Sequence, residues 1–200
     1  MIIVSKKNTA NEGGRSGISE PMTQQQIHSE AMVVIQQGLS SSAWRTLDAL
    51  YAGGIMTMEQ LGLARRTLVR YAKKQITARY PISPGEVRRQ LGEYGLVVEH
   101  GQLYTLGLVG AEIVRMRHDV KPPSGYLAYT LERVLHDVIV NEIVQRIAAE
   151  ASKHGWQTVW ASKYESSLFR DDVPILEPDA FIRLERDGDK RPFLIEYHNE

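Results

Sequence analysis

Apolar positions recur every three to four residues through most of the first half of the chain, and capping residues punctuate them. Thr23 stands before "QQQIHSEAMVVIQQ", a short helix that Gly38 ends and whose expected role is packing or dimerisation. In "SSAWRTLDALYAGG", Trp44, Leu47, Leu50 and Tyr51 share one helical face, with serines before it and Gly-Gly after it. "TMEQLGLARRTLVRYAKKQITARY" continues from Thr57 as one or two further helices. "SPGEVRRQLGEYG" predicts another, with Ser83 as cap, Pro84 in the first turn and Glu86 completing a capping box. "LVVEHGQLYTL" alternates around His100-Gly101 as a β-hairpin, and "GAEIVRMRH" closes the unit as a helix. Three helices and then a hairpin is the order of a winged helix-turn-helix.

The pattern changes at "DVKPPSG". The expected organisation is a tail and short helix over 1–41, a winged-helix domain over 42–118, a linker over 119–125 and a second domain over 126–200. That second domain opens with a long helix ended by Gly155, whose stripe His136, Val140, Ile143, Ile147 and Ala151 faces a core. "WQTVWASK" is a strand that places Trp156 and Trp160 on one core face, and "ESSLFRDDVPILE" is a connection. The terminal "EPDAFIRLERDGDKRPFLIEYHNE" predicts a hairpin about Asp187-Gly188. A two-residue turn sets Asp179 opposite Glu196, and a loop over 187–190 sets it opposite His198. Either register puts all three on one face, while Pro192 limits the regularity of the ladder. Two acids so opposed repel unless a cation, a shared proton or solvent intervenes. Helices followed by antiparallel strands make the fold class α+β. A sheet that stops here leaves open strand edges, so further chain is expected beyond residue 200.

Composition excludes several classes. There is no cysteine, so disulfide and thiolate-metal frameworks are ruled out. "MIIVSKK" is too short for the apolar region of a signal peptide, and no apolar run approaches a membrane span, so a cytoplasmic protein without a membrane partner is expected. The formal net charge of +0 hides an asymmetry: residues 43–121 hold 12 Lys/Arg against 7 Asp/Glu, and residues 122–200 hold 9 against 14.

The basic excess is concentrated. Between Arg65 and Arg89 lie Arg65, Arg66, Arg70, Lys73, Lys74, Arg79, Arg88 and Arg89, against the single acid Glu86. If the helix after Ser83 is the recognition helix, Arg88, Arg89 and Gln90 reach base edges of double-stranded DNA. Arg65, Arg66, Arg70, Lys73 and Lys74 then line the phosphates. In a competing register "ARRTLVRYAKKQ" is itself the recognition helix. A solvated face, or an adaptor surface for an acidic protein, accounts for the charge but not for the helix-and-wing order.

A winged helix ending "EVRRQLGEYGLVVEHGQLYTLGLVGAE", then "HDVIVNE", "PDAFIRL" and "FLIEYHNE", resembles the replication-relaxation family of plasmids and integrative elements over about residues 42–200. The resemblance implies a DNA-binding protein acting in plasmid replication or transfer or its regulation, as a homodimer or beside replication and transfer proteins. It also implies a restriction-endonuclease-like second domain, incomplete at residue 200. Nucleases of that fold carry Pro-Asp, a spacer and Glu-x-Lys. Pro178-Asp179 and Glu196 match this pattern, and His198 stands in place of the lysine. The alternative function is therefore a nuclease dependent on Mg²⁺ or Mn²⁺, with Asp179, Glu196 and His198 catalytic and the metal on Asp179, Glu196 and His136.

Overall fold

Thr23 opens the first helix, α1 (Gln24–Gln36), through a reciprocal cap. Its hydroxyl accepts from the Gln26 N–H, and the Gln26 side chain accepts from the Thr23 N–H at 2.7 Å. The computed structural model describes residues 21–82, 91, 102–120, 130–162, 168–170 and 173–198. They form an α+β structure of five helices and three antiparallel sheets.

Helix α2 (Ser41–Gly53) starts at Ser40 and buries Leu47, Leu50 and Tyr51, with Trp44 packed at the edge of the same core. It leads into β1 (Ile55–Met56). Gly53 is required by close approach, because a Cβ there would collide with the Asn141 amide and the Met56 methyl. The helix expected from Thr57 does not form at its start. Thr57 and Gln60 instead cap each other, through bonds of 3.0 and 3.1 Å, around a turn that ends at Gly62 with φ +60°. Only α3 (Arg65–Lys73) is helical in this stretch, and "TARYP" is the strand β2 (Thr77–Pro81). Gln75, at φ 51°, breaks the helix. Sheet pairing then outweighs the helical pattern read from the sequence.

Strand β3 (Gln102–Leu106) lies between β1 and β2, with Thr105 opposite both Ile55 and Ala78. Its edge toward β2 is paired along its whole length, and its edge toward β1 at Tyr104 and Thr105. The arm expected to pair with it across His100-Gly101 falls outside the described residues, as do the helix predicted from Ser83 and the linker over 121–125. Helix α4 (Leu108–His118) follows and packs against α1, completing a core that holds Ala31, Leu47, Leu50, Tyr71, Leu106 and Ile113.

Helix α5 (Leu131–Lys153), capped by Thr130, joins the two halves. Val134, Leu135, Val138 and Ile139 pack with Ile55, Ile82, Leu91 and Leu103 of the first half. One turn on, Val140 and Val144 pack with Ala180 and Ile182 of the second sheet. Each fully buried side chain of this size contributes roughly 1.5–3 kcal/mol. Polar ties reinforce the seam. The Asn141 amide donates to the Gly53 and Ile55 carbonyls at 3.1 and 2.6 Å, and the Ser162 hydroxyl donates to the Tyr51 carbonyl at 2.8 Å.

The second sheet has the order β4 (Gln157–Ala161), β7 (Ala180–Arg186), β8 (Asp189–Ile195), and β5 (Leu168–Arg170) pairs separately with β6 (Val173–Leu176). Asp187 and Gly188 have φ 52° and 86°, so the turn is the two-residue type with two left-handed positions that Asp-Gly favours. Arg186 faces Asp189 and Ala180 faces Ile195. Pro192 does not interrupt this register. Opposite Arg183 it occupies a non-hydrogen-bonded rung, so its nitrogen points to the open edge.

Candidate functional site

Two groups of side chains stand out, and the first is the exposed face of α3. Leu68 and Tyr71 are buried. At about 100° per residue, Arg66 and Lys73 lie opposite this buried side. Arg70 lies beside them, with Arg65 and Lys74 at the flanks. All five are exposed, as is Arg79 on β2. Among the described residues none of the six makes an ion pair. Elsewhere most cations are matched, Arg115 with Glu112, Arg117 with Asp48, Arg133 with Asp137, Arg146 with Glu142 and Arg183 with Glu185, while Arg45, Arg186 and Lys190 are exposed without an ion pair among the described residues. Six of the nine exposed Lys and Arg without an ion pair among the described residues thus lie on α3 and β2.

Arg88, Arg89 and Gln90 lie outside the described residues.

The second group gathers where α5 meets the end of the terminal hairpin. The Asp179 carboxylate is 12% exposed and accepts from the Tyr197 N–H at 2.9 Å. His136 Nε2 lies 3.2 Å from the same Asp179 oxygen and 3.2 Å from the Tyr197 carbonyl oxygen. Both neighbours are acceptors, so Nε2 carries the proton. Nδ1 has no hydrogen-bond partner among the described residues, and Asp137 Oδ1 stands 3.5 Å away. Asp137 is in turn 3.4 Å from Arg133.

The sequence-predicted metal set is brought together only in part. His136 and Asp179 meet, but Glu196 lies one residue past the last rung of the ladder. It is exposed, has no hydrogen bond or ion pair among the described residues, and His198 is exposed likewise. No group of three or more His, Asp or Glu among the described residues could hold a metal ion. The Asp179 oxygen that faces His136 already accepts two protein donors. Among the described residues this set does not assemble into a divalent-metal centre. What the cluster does is tie the end of β8 to the long helix.

Three features escaped the sequence. The Tyr71 hydroxyl meets Ser42 at 2.9 Å and Ser40 at 3.3 Å, drawing α3 onto the start of α2. Burial pushes this phenol up, but hydrogen bonds from Ser40, Ser42 and Arg70 outweigh it and hold it below its ordinary value. Glu112 on α4 is buried yet bonded to Arg115, to His28 at 2.7 Å and to Gln24 at 3.3 Å. The Arg115 hydrogen bond, working against burial and helped by His28, lowers its carboxyl from 4.5 to about 2. Trp156 is not a core residue like Trp160: Arg186 and Arg191 lie 4.5 and 5.0 Å from its ring. A tyrosine 29 residues from its serine partner leaves no local signal.

Comparison with family models, with curated proteins and with solved structures returns no match. No helix among the described residues is long and apolar enough to cross a membrane.

Proposed function

We propose that this chain is a double-stranded-DNA-binding protein whose first half is a winged helix-turn-helix with α3 as the recognition helix. The carrying observation is the run of six exposed cations on α3 and β2 without an acidic partner among the described residues. Among the described residues the order helix, short strand, turn, helix, strand, strand, with β3 central in the sheet, supports the reading. The turn over 58–62 then replaces the second helix. The nine residues of α3 span about 14 Å, compatible with lying across a major groove about 12 Å wide. Arg66 and Lys73 face the groove, and Arg65, Arg70, Lys74 and Arg79 face phosphates.

The resemblance to the replication-relaxation family gives this binding a setting in replication or transfer of a mobile element. The second half acts as a scaffold packed on α5. Anisotropy of a labelled duplex tests the assignment. Replacing Arg66 and Lys73 by alanine is expected to lose binding by about 1–3 kcal/mol per base contact removed. Replacing Arg88 and Arg89 should cost less. Wild-type affinity in the α3 variant, with loss on changing Arg88 and Arg89, would return recognition to the segment after Ser83.

A further inference from the structure

Beside α3 is a pocket of about 220 Å³ that the DNA-binding reading does not by itself explain. It is lined by α1 and α2 on one side and by Arg70, Tyr71, Lys74 and Ile76 on the other, and no acidic side chain lines it. The volume is below the roughly 300–1,000 Å³ of pockets that enclose a whole small molecule. It suits one functional group.

Its charged lining is of donors only, Arg70 and Lys74, and its other polar side chains, Gln37, Ser40 and Tyr71, can each donate. Arg70 and Lys74 have no ion-pair partner among the described residues, and Arg70 lies 5.6 Å from the centre of the Tyr71 ring. The Ser40, Ser42 and Tyr71 hydroxyls touch one another at 2.9 to 3.3 Å. Each can accept or donate, and each finds only neutral hydroxyl acceptors in the others. An oxyanion is a stronger acceptor, and these hydroxyls can rotate toward one without moving backbone. Ser40 also keeps its capping bond from the Ala43 N–H, since that bond uses it as acceptor.

We propose that this pocket seats a single phosphate group, with Arg70 and Lys74 supplying the charge and Ser40 and Tyr71 the hydroxyl donors. The chemistry is common to a backbone phosphodiester and to free phosphate. The backbone assignment rests on the DNA-binding reading, because Arg70 and Lys74 extend the basic face of α3 toward the pocket.

Inorganic phosphate titrated into the full chain at constant ionic strength, followed by amide NMR, is the test. Saturable shifts confined to Ser40, Ser42, Tyr71 and Lys74 are expected. Lys74→Gln should weaken them at least about tenfold. Tyr71→Phe, which keeps the buried ring, should weaken them less. A labelled duplex then separates the sources. Phosphate that competes with duplex in the wild type but not in Lys74→Gln identifies a backbone phosphate, and saturable binding without competition identifies free phosphate. Phosphate binding in a chain that ignores duplex would overturn the DNA reading while leaving the site standing. Shifts that are absent, unsaturable or spread over the surface would overturn the site.

Discussion

Replacing Asn141 tests whether the two halves are one folded body. Asn141 sits midway along α5, is 2% exposed, and donates through one amide nitrogen to the carbonyls of Gly53 and Ile55. Asn141→Ala leaves both carbonyls in a dry seam, and each buried unpaired group costs about 1–3 kcal/mol. The expected loss is thus about 2–6 kcal/mol, a large share of the roughly 5–15 kcal/mol typical of a folded domain. Asn141→Leu restores volume but no donor, so it should recover only a minority of the loss. Urea unfolding, followed by far-ultraviolet circular dichroism and by tryptophan fluorescence, reads this directly. Trp44 reports the first half and Trp160 the seam, so both probes should move to a lower midpoint together with an unchanged slope. A loss under about 0.5 kcal/mol, or separate transitions in the two probes of the wild type, would refute the shared body.

Other substitutions probe the rest of the structure. Gly110→Ala would drive a methyl into the Ile76 carbonyl and should destabilise by about 1–3 kcal/mol in the same assay, whereas Gly38→Ala meets no neighbour and is strained only by its φ of +82°. Glu112 carries a pH signature: its folded carboxyl is lowered from 4.5 to about 2, so its stabilisation is present above about pH 4.5 and is lost as pH falls toward 2. The gap in stability between wild type and Glu112→Gln should therefore be of order 3 kcal/mol near neutral pH and close over that window, and a gap independent of pH would contradict it. Asp179→Ala removes the acceptor of the Tyr197 N–H, and hydrogen exchange at that amide should quicken while amides inside the β7–β8 ladder stay protected.

The terminal hairpin was the most legible part of the sequence, because Asp-Gly admits few turns and one turn type fixes every rung. Pro192 looked like an obstacle, but the same register turns its missing N–H away from the partner strand. Residues 77–81 were illegible for the opposite reason. "TARYP" continues a helical pattern locally, and only its pairing with residues 102–106 makes it a strand. At the candidate interface, the run of cations was visible in the chain, yet the want of partners for them is a tertiary fact. His136 was placed toward Asp179 by helical spacing alone, and they meet. Glu196 was placed there by strand alternation, which ceases to govern one residue beyond the ladder. The hydroxyl cluster of Ser40, Ser42 and Tyr71 depends on how α3 packs on α2, which no spacing encodes.

Salt dependence of duplex binding measures the central claim most directly. Binding by the six unpaired cations, Arg65, Arg66, Arg70, Lys73, Lys74 and Arg79, releases about one counterion per phosphate neutralised. With four of them, Arg65, Arg70, Lys74 and Arg79, on phosphates, the logarithm of affinity should fall against the logarithm of salt concentration with a slope of about −3 to −4. Each of these residues replaced by alanine should flatten the slope by about 0.9 when it contacts a phosphate. A wild-type slope shallower than about −1, or one unmoved by removing Arg65, Lys74 and Arg79 together, would contradict the account.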